Sequence, residues 1–386
     1  MATRPARSRR ATARDVAELA GRSLSTVSLV INGKDQGRVA AETRERILAA
    51  ASELGYQLNT TASALARGEL DSIGFVSPDP TNPFFSMVLD GLARKLDSAL
   101  SVTVLMPHGG EDYDLSTVQR ALAGNLAGLI LASPGTRLLE RVVPTCPTVI
   151  LDSDGSAGSF PSIDLDVRHA ASELADYLLA LGHRRVAYVG VSRDKASLQH
   201  RRHGLETGLR RLGAGLAADD LVLDELTMEA AFRGFLARWP DWKSAGVTAV
   251  VCGDDLYAYG VLRACRTLGV PVPGELSLVG FDDLPYSEFT APSLTTVNLS
   301  ARELGETAAE LLQDYVATGR PPKSRVLRTS LVVRESTGQA LAEWKGLAQA
   351  GDEGLESGGQ VTELDGKRQR SQRDVAGPQG TDVGAE

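Results

Sequence analysis

The stretch that decides the architecture is Thr12 to Lys34, TARDVAELAGRSLSTVSLVINGK. Thr12 is placed to cap a helix whose first turn carries Asp15, where the helix dipole favours negative charge, and Gly21 is placed to end it in a left-handed turn. Ser23 then caps a second helix, in which Val27, Val30 and Ile31 fall at i, i+3, i+4 and share one inward face. At about 100° per residue the opposite face carries Ser25, Ser28, Leu29 and Asn32, short enough to lie close against base edges in a major groove. A third helix, Glu42 to Leu54, puts Ile47, Leu48, Ala51 and Leu54 on one side. Periodicity alone fits either a plain three-helix bundle or a helix-turn-helix unit.

Outward from this head, the chain divides by composition. Residues 1–11 form an Arg-rich arm, residues 12–58 the three-helix head, and residues 59–70 a small-residue linker. Residues 71–337 alternate apolar strands with amphipathic helices, the pattern of a parallel α/β sheet. Strands are expected at 72–77, 102–106, 128–132, 148–152, 185–190, 248–252 and 276–280. From 338 to 386 the chain is rich in Gly, Gln, Glu and Asp and has too few apolar groups to offset ordering entropy, so a disordered tail is expected.

Charge follows the same division. The 386 residues carry a net charge of −8, yet residues 1–68 hold eleven Arg and Lys against six acids. A basic head on an acidic body points to a polyanion-binding module attached to something with another task. Cys146, Cys252 and Cys265 lie far apart with no C-x-x-C pair, which excludes a disulfide framework or zinc knuckle and fits a reducing cytoplasm. No apolar run approaches the roughly 18 residues of a membrane span, and no hydrophobic signal core follows the basic arm, so a soluble, non-exported protein is expected.

Enzyme signatures fail one by one. Gly213 to Ala218, GAGLAA, formally fits a dinucleotide fingerprint but follows a helix rather than a strand. His200 and His203 stand i, i+3, yet Arg201 and Arg202 lie between them and no nearby Cys or acid completes a metal set, which favours a solvated helix face. There is no G-x-S-x-G elbow and no Walker loop. No catalytic residue, metal or cofactor is expected.

The residues ARDVAELAGRSLSTVSLVINGK, ETRERILAA and ELGYQLN, continued by TASALARG and IGFVSPDPTNPFF, resemble in order the lactose-repressor/galactose-repressor (LacI/GalR) family from Thr12 to Thr337. The resemblance implies a helix-turn-helix headpiece with hinge helix, followed by a periplasmic-binding-protein-like core of two subdomains with parallel sheets. It implies a homodimeric transcription regulator, most often a repressor, that binds a pseudopalindromic double-stranded DNA operator under control of a small-molecule effector such as a sugar or polyol. By matching position, Leu24, Ser25 and Leu29 read bases, Thr26, Ser28, Asn32 and Tyr56 meet phosphates or orient helices, and Thr12 opens the DNA-contacting set. Asn59, Ala62 and Leu65 fall in the hinge, where Leu65 is either the wedge between central base pairs or a plain linker-helix residue.

Departures from the family pattern matter here. Leu29 replaces a common Arg, the loop Asp35-Gln36-Gly37-Arg38 is about two residues long beyond the usual, Ala40 stands where a Ser would cap, and Leu58 replaces a Pro. In the body the resemblance places Phe84 and Phe85 on the lip of a ligand cleft and Asp152, Asp164, Gln199, Glu229, Asp254 and Asp282 around the ligand. Each acid could instead be a helix N-cap after a strand. Gln199 stands where many members carry a ligand-gripping Arg, and Asp254 where an Asn is common. Loss of that cation argues against an anionic effector and leaves a neutral polyol, a sugar or a cation open.

Overall fold

A computed structural model describes residues 11–56, 71–79, 81–106, 115–153, 155–191, 196–216, 221–223, 225 and 227–341. The basic arm, the expected hinge with Asn59, Ala62 and Leu65, and the chain beyond 341 lie outside the described residues.

The head consists of α1 (Ala13–Ala20), α2 (Leu24–Ile31) and α3 (Ala41–Glu53). Thr12 and Asp15 form a reciprocal capping box: the Asp15 N–H donates to Thr12 Oγ1 at 3.3 Å, and the Thr12 N–H donates to Asp15 Oδ2 at 2.7 Å. Gly21 closes α1 with φ +63°, which a side chain would oppose. Ser23 caps α2 by accepting from the Thr26 N–H, and α3 starts at Ala40 with no side-chain cap, as its sequence implies. Val16, Val27 and Ile47 are fully buried between the helices. The expected inward face of α3 needs correction: Ile47, Ala50 and Ala51 are buried, whereas Leu48 and Leu54 are exposed, because the helix turns its i, i+3, i+4 stripe one residue earlier.

The body has two parallel sheets. In the N-terminal lobe β1 (Ser72–Val76), β2 (Ser101–Leu105), β3 (Gly128–Ala132), β4 (Thr148–Leu151), β5 (Ser162–Leu165) and β12 (Arg325–Leu327) take the order β12-β5-β4-β3-β1-β2. In the C-terminal lobe β6 (Arg185–Val191), β7 (Gly215–Leu216), β8 (Leu221–Leu223), β9 (Ala249–Cys252), β10 (Ser277–Asp282), β11 (Thr295–Asn298) and β13 (Ser330–Val332) run β13-β11-β10-β9-β6-β7, with β8 also on β6. Only β13 is antiparallel to its neighbour among the described pairs. Their interior positions are near-continuous Val, Ile and Leu, as sheets covered on both faces require.

The covering helices are α4 (Pro83–Lys95), α5 (Leu115–Leu122), α6 (Thr136–Leu139) and α11 (Ala301–Thr318) in the first lobe, and α7 (Val167–Ala180), α8 (Ala196–Arg211), α9 (Met228–Ser244) and α10 (Asp255–Leu268) in the second. Helices α4 and α11 cross at Gly91 and Gly305, where an added Cβ would run into the Arg302 and Val88 carbonyls. Trp239 and Trp242 pack against Phe235 in the second lobe's core, at ring centroids of 5.4 and 6.0 Å.

The chain passes between lobes three times: after β5, after β11, and between β12 and β13. These crossings are stitched together. The Asp166 N–H donates to the Leu327 carbonyl at 3.0 Å, Thr329 Oγ1 to the Asp166 carbonyl at 3.0 Å, and Ser300 Oγ to the Arg328 carbonyl at 3.2 Å. The body also runs past Thr337, where a disordered tail is expected. The Gly338 N–H donates to Ser277 Oγ at 3.0 Å and the Ala340 N–H to the Leu181 carbonyl at 2.9 Å, so residues 338–341 belong to the second lobe.

Candidate DNA-reading face and effector cleft

On the head, Leu24 is 49% exposed, and Ser25 and Ser28 are exposed beside it. Leu29, Thr26 and Asn32 are half-buried, and Asn32 Nδ2 turns back to the Ser28 carbonyl at 2.7 Å to finish α2. Tyr56 packs against the head's core. Arg46 donates to the Ala20 carbonyl at 2.9 Å, tying α3 to the end of α1, and Arg44 pairs with buried Asp35 at 3.0 Å, which anchors the lengthened loop. The free surface of α2 is therefore the small-residue strip Leu24-Ser25-Ser28 with Leu29 at its margin. Thr12 is engaged in the capping box, so its hydroxyl holds the helix start rather than standing open.

In the body, the carboxyl ends of strands from both lobes converge, as open parallel sheets place their ligand sites. Asp152 follows β4, Asp254 follows β9, and Asp282 ends β10; all three are buried. Several residues here adopt the left-handed region without being glycine: Ser133 (φ +46°), Asp152 (+52°), Asp282 (+116°) and Asp283 (+56°). Such conformations persist only where surrounding contacts impose them, and they gather at binding sites.

Arg201 is the centre of this cluster. It is 6% exposed, donates from Nη1 to the Gly253 carbonyl at 2.6 Å and to Asp282 Oδ1 at 3.1 Å, and lies 5.3 Å from the Phe281 ring centroid. Burial opposes its charge, but Asp282, Asp152 and Asp254 together hold its pKa above the ordinary guanidinium value. Asp254 caps α10 by accepting the Leu256 N–H at 2.7 Å and accepts Asn82 Nδ2 at 2.9 Å. Burial pushes the carboxyls of both Asp254 and Asp282 up. For Asp282 the neighbouring charge of Asp254 adds to burial, and the two outweigh the opposing pull of Arg201.

Asp255, next along, is fully buried and accepts from Ser287 Oγ, Thr296 Oγ1 and the Leu284 N–H at 2.6, 2.6 and 2.9 Å. Burial raises its pKa to about 7. Gly280 is required beneath it, since a Cβ there would strike Asp255 Oδ1. Phe84 and Phe85 stand edge to face at 5.4 Å, Phe84 buried and Phe85 half-buried, at the start of α4.

Of the residues expected around a ligand, Asp152, Asp254 and Asp282 are brought together with Arg201. Asp164 is buried nearby with both oxygens taken, Oδ1 by Ser153 N–H and Oγ at 2.8 Å each and Oδ2 by Ser162 Oγ at 2.9 Å, so it clamps the turn between β4 and β5. Two placements are corrected. Gln199 is exposed because it lies about 200° around α8 from Arg201. Arg201 shares the inward stripe with Leu205 and Leu209, so the cleft keeps its cation two residues on, and the run His200 to His203 is not a wholly solvated face. Glu229 is 51% exposed and pairs with Arg233 and Arg263 at 3.8 and 3.7 Å along the outer sides of α9 and α10. Sequence reasoning also missed Asn82, whose partner lies 172 residues away. Among the described residues no group of three His, Cys, Asp or Glu is placed to hold a metal, and no helix is long and apolar enough to cross a membrane.

A helix-turn-helix head joined to a two-lobed binding core with a polar cluster at its interlobe strand ends defines a ligand-responsive DNA-binding regulator. Residues 12–59 match the model of bacterial regulatory proteins of the lacI family, and residues 175–337 a periplasmic binding protein-like domain. The HTH-type transcriptional regulator MalR of Streptomyces coelicolor is 33% identical over 85% of this chain and 97% of its own length. The crystal structure of the lac repressor dimer bound to operator and the anti-inducer ONPF aligns with a TM-score of 0.72 at 28% identity, over 86% of this chain and all of that one. The transcriptional regulator CelR–cellobiose complex aligns at 0.60 and 27% identity, over 85% and 100%. The chain belongs to the LacI family of bacterial transcription regulators.

Proposed function

We propose that this regulator is a homodimeric repressor that binds a pseudopalindromic DNA operator through paired heads, with its affinity set by a neutral sugar or polyol held between the two lobes. The observation that carries this reading is the buried cluster of Arg201, Asp282, Asp254 and Asp152 at the interlobe strand ends, in one chain with the exposed small-residue strip of α2. A fixed guanidinium beside carboxyl groups supplies both donors and acceptors for hydroxyls, and charge-assisted hydrogen bonds are the strong ones. Phe84 and Phe85 offer apolar area against a sugar ring face. Arg201 is already matched by acids, so an anionic effector gains little there. The likeness to a dimer bound to operator and to a complex with cellobiose supports the same partners here.

Leu24, Ser25 and Ser28 serve as base-facing residues, with Leu29 offering a thymine methyl an apolar contact rather than a guanine a bidentate one. Asn59, Ala62 and Leu65, in a hinge over residues 59–70, serve the central minor groove. Exposed Phe289 (83%) and Tyr286 (59%), and Val104 and Met106 on and just after edge strand β2, supply apolar surface for pairing. The buried acids act in ligand holding rather than catalysis, and the protein acts in the cytoplasm, where its DNA is.

The test is selection of duplexes from a random pool by the purified chain, followed by fluorescence anisotropy on the selected duplex with and without a panel of mono- and disaccharides including cellobiose. A pseudopalindromic consensus whose affinity changes with one sugar is expected. A monomer with no preference over random competitor at moderate ionic strength overturns the reading.

A further inference from the structure

Two helix caps from different lobes meet across the cleft. Asn82 caps α4 in the N-terminal lobe, its Oδ1 accepting the Phe84 N–H at 2.9 Å; Asp254 caps α10 in the C-terminal lobe, its Oδ1 accepting the Leu256 N–H at 2.7 Å. Each cap fixes the orientation of its own side chain. With Oδ1 committed to Phe84, the Asn82 amide must present its NH2 to Asp254 Oδ2, and it does so at 2.9 Å. Both side chains are buried, Asn82 at 9% and Asp254 at 8% exposure. Two other buried polar atoms have no hydrogen-bond partner among the described residues: Ser77 Oγ, just after β1 in one lobe, and Arg201 Nε in the other. Buried polar atoms are rarely left so.

We propose that Asn82 is an interlobe latch and positioning residue: its amide bond to Asp254 holds the two lobes together in the ligand-free protein, and an effector binds by taking Asp254 from Asn82. Asp254 thus has two mutually exclusive partners, a side chain of the opposite lobe or a ligand hydroxyl. Release of Asn82 and occupation of the cleft are one event, which makes lobe separation respond to the ligand. The proposal rests on the reading of this cleft as the effector site.

The geometry dictates a reciprocal test in the full-length protein. Asn82→Asp preserves the cap on α4, because its carboxylate still accepts from Phe84, but sets an acceptor against Asp254. Asp254→Asn preserves the cap on α10 but turns a second NH2 toward Asn82. Either single change removes the latch while leaving both helix starts intact. In N82D/D254N the new amide at 254 donates to the new carboxylate at 82, and the latch is rebuilt with reversed polarity. Lobe separation is read without ligand by electron–electron resonance between spin labels at Val143→Cys and Val222→Cys, both exposed, in a Cys146→Ser background.

The expected result is a closed-to-open ratio about ten- to a hundredfold lower in each single variant, the equilibrium equivalent of one charge-assisted hydrogen bond, and its return in the double variant. Unchanged separation in the single variants, or no recovery in the double, overturns the latch. Cellobiose and the rest of the sugar panel are titrated on the wild type separately. Absence of any binding there refutes the effector reading, whereas the ligand-free distances judge the latch alone.

Discussion

Arg201→Met leaves a nearly isosteric apolar stem in a site built around a cation, and its consequence can be worked through in energies. In the wild type the guanidinium satisfies the Gly253 carbonyl and pairs with Asp282. Removing one partner of a buried pair costs about 3–5 kcal/mol when the remaining charge stays buried. Asp282 has another course open, because burial and Asp254 already hold its carboxyl well above the usual range. Without Arg201 it goes higher still and stays protonated in the folded lobe. The unfolded chain releases that proton above about pH 4. Below that pH the carboxyl is protonated in both states and costs nothing; above it the folded variant binds one proton more than the unfolded chain, so stability falls as pH rises until the folded pKa is reached. The slope is about 1.4 kcal/mol per pH unit. Wild-type Asp282 is itself raised, so the two profiles run together at low pH, and the stability gap opens only above the pH at which wild-type Asp282 ionises, by about 1.4 kcal/mol per pH unit. Urea unfolding followed by Trp239 and Trp242 fluorescence reports this lobe, with Trp344→Phe removing the third indole. Arg201→Lys retains the charge and should follow the wild-type profile. Parallel stability profiles for wild type and Arg201→Met would refute the assignment of Arg201 as the counter-charge to this carboxyl pair.

Thr12→Ala removes half of the capping box and should lower head stability by about 1 kcal/mol, read as an earlier loss of helical circular dichroism in the isolated 1–58 segment if that segment folds, or of operator affinity in the full chain. Gly305→Ala forces a methyl into the Val88 carbonyl across the α4–α11 crossing and should cost about 1–3 kcal/mol, lowering the melting temperature of the body, with Ala308→Gly as a control on the same buried helix. Leu29→Arg gives α2 a side chain able to bond guanine bidentately and should change base preference at one position per half-site by about 1–3 kcal/mol, measured by selection from a random duplex pool; an unchanged consensus would remove Leu29 from the reading face.

Much of the head was legible because its signals are local. Thr12, Asp15, Gly21 and Ser23 cap and stop helices within four residues of themselves, and the structure puts each in that role. The strands that were anticipated are apolar runs such as Gly128–Ala132, interior to their sheets except for edge strand β2. The ones missed, β5, β11, β12 and β13 among them, are short and partly polar, and β12 returns to a sheet whose next strand lies some 160 residues earlier, a pairing no local pattern reports. Gln199 was misplaced by matching position to a motif when helical phase held the answer: Leu205 and Leu209 mark the inward stripe, and Arg201 is on it. Glu229 was misread for a related reason, since an acid in a first helical turn is favoured there by the dipole whether or not a ligand is near. The cap of Asn82 could be read from Asn82-Pro83-Phe84, but its second bond depends on tertiary closure.

The arrangement of bonds around the body also explains how a single amide could govern lobe separation. The three crossings are tied to one another by Asp166, Thr329 and Ser300, and these bonds join crossing to crossing rather than lobe to lobe, as a pivot for the proposed motion requires. Ser300 holds φ +52° there, and Asn298 bonds both the Ser300 N–H and Asp283, fixing the pivot against the end of β10 that carries Asp282. A pivot that retains its hydrogen bonds through the motion adds little to the energy difference between closed and open states. The balance then falls to contacts at the strand ends, where the charge-assisted bond from Asn82 to Asp254 supplies about 1.5–3 kcal/mol. That is the size of a typical coupling free energy between two sites. An effector that fills Asp254 equally well in both arrangements would leave the balance untouched however tightly it bound; under the proposed latch, one that displaces Asn82 shifts it.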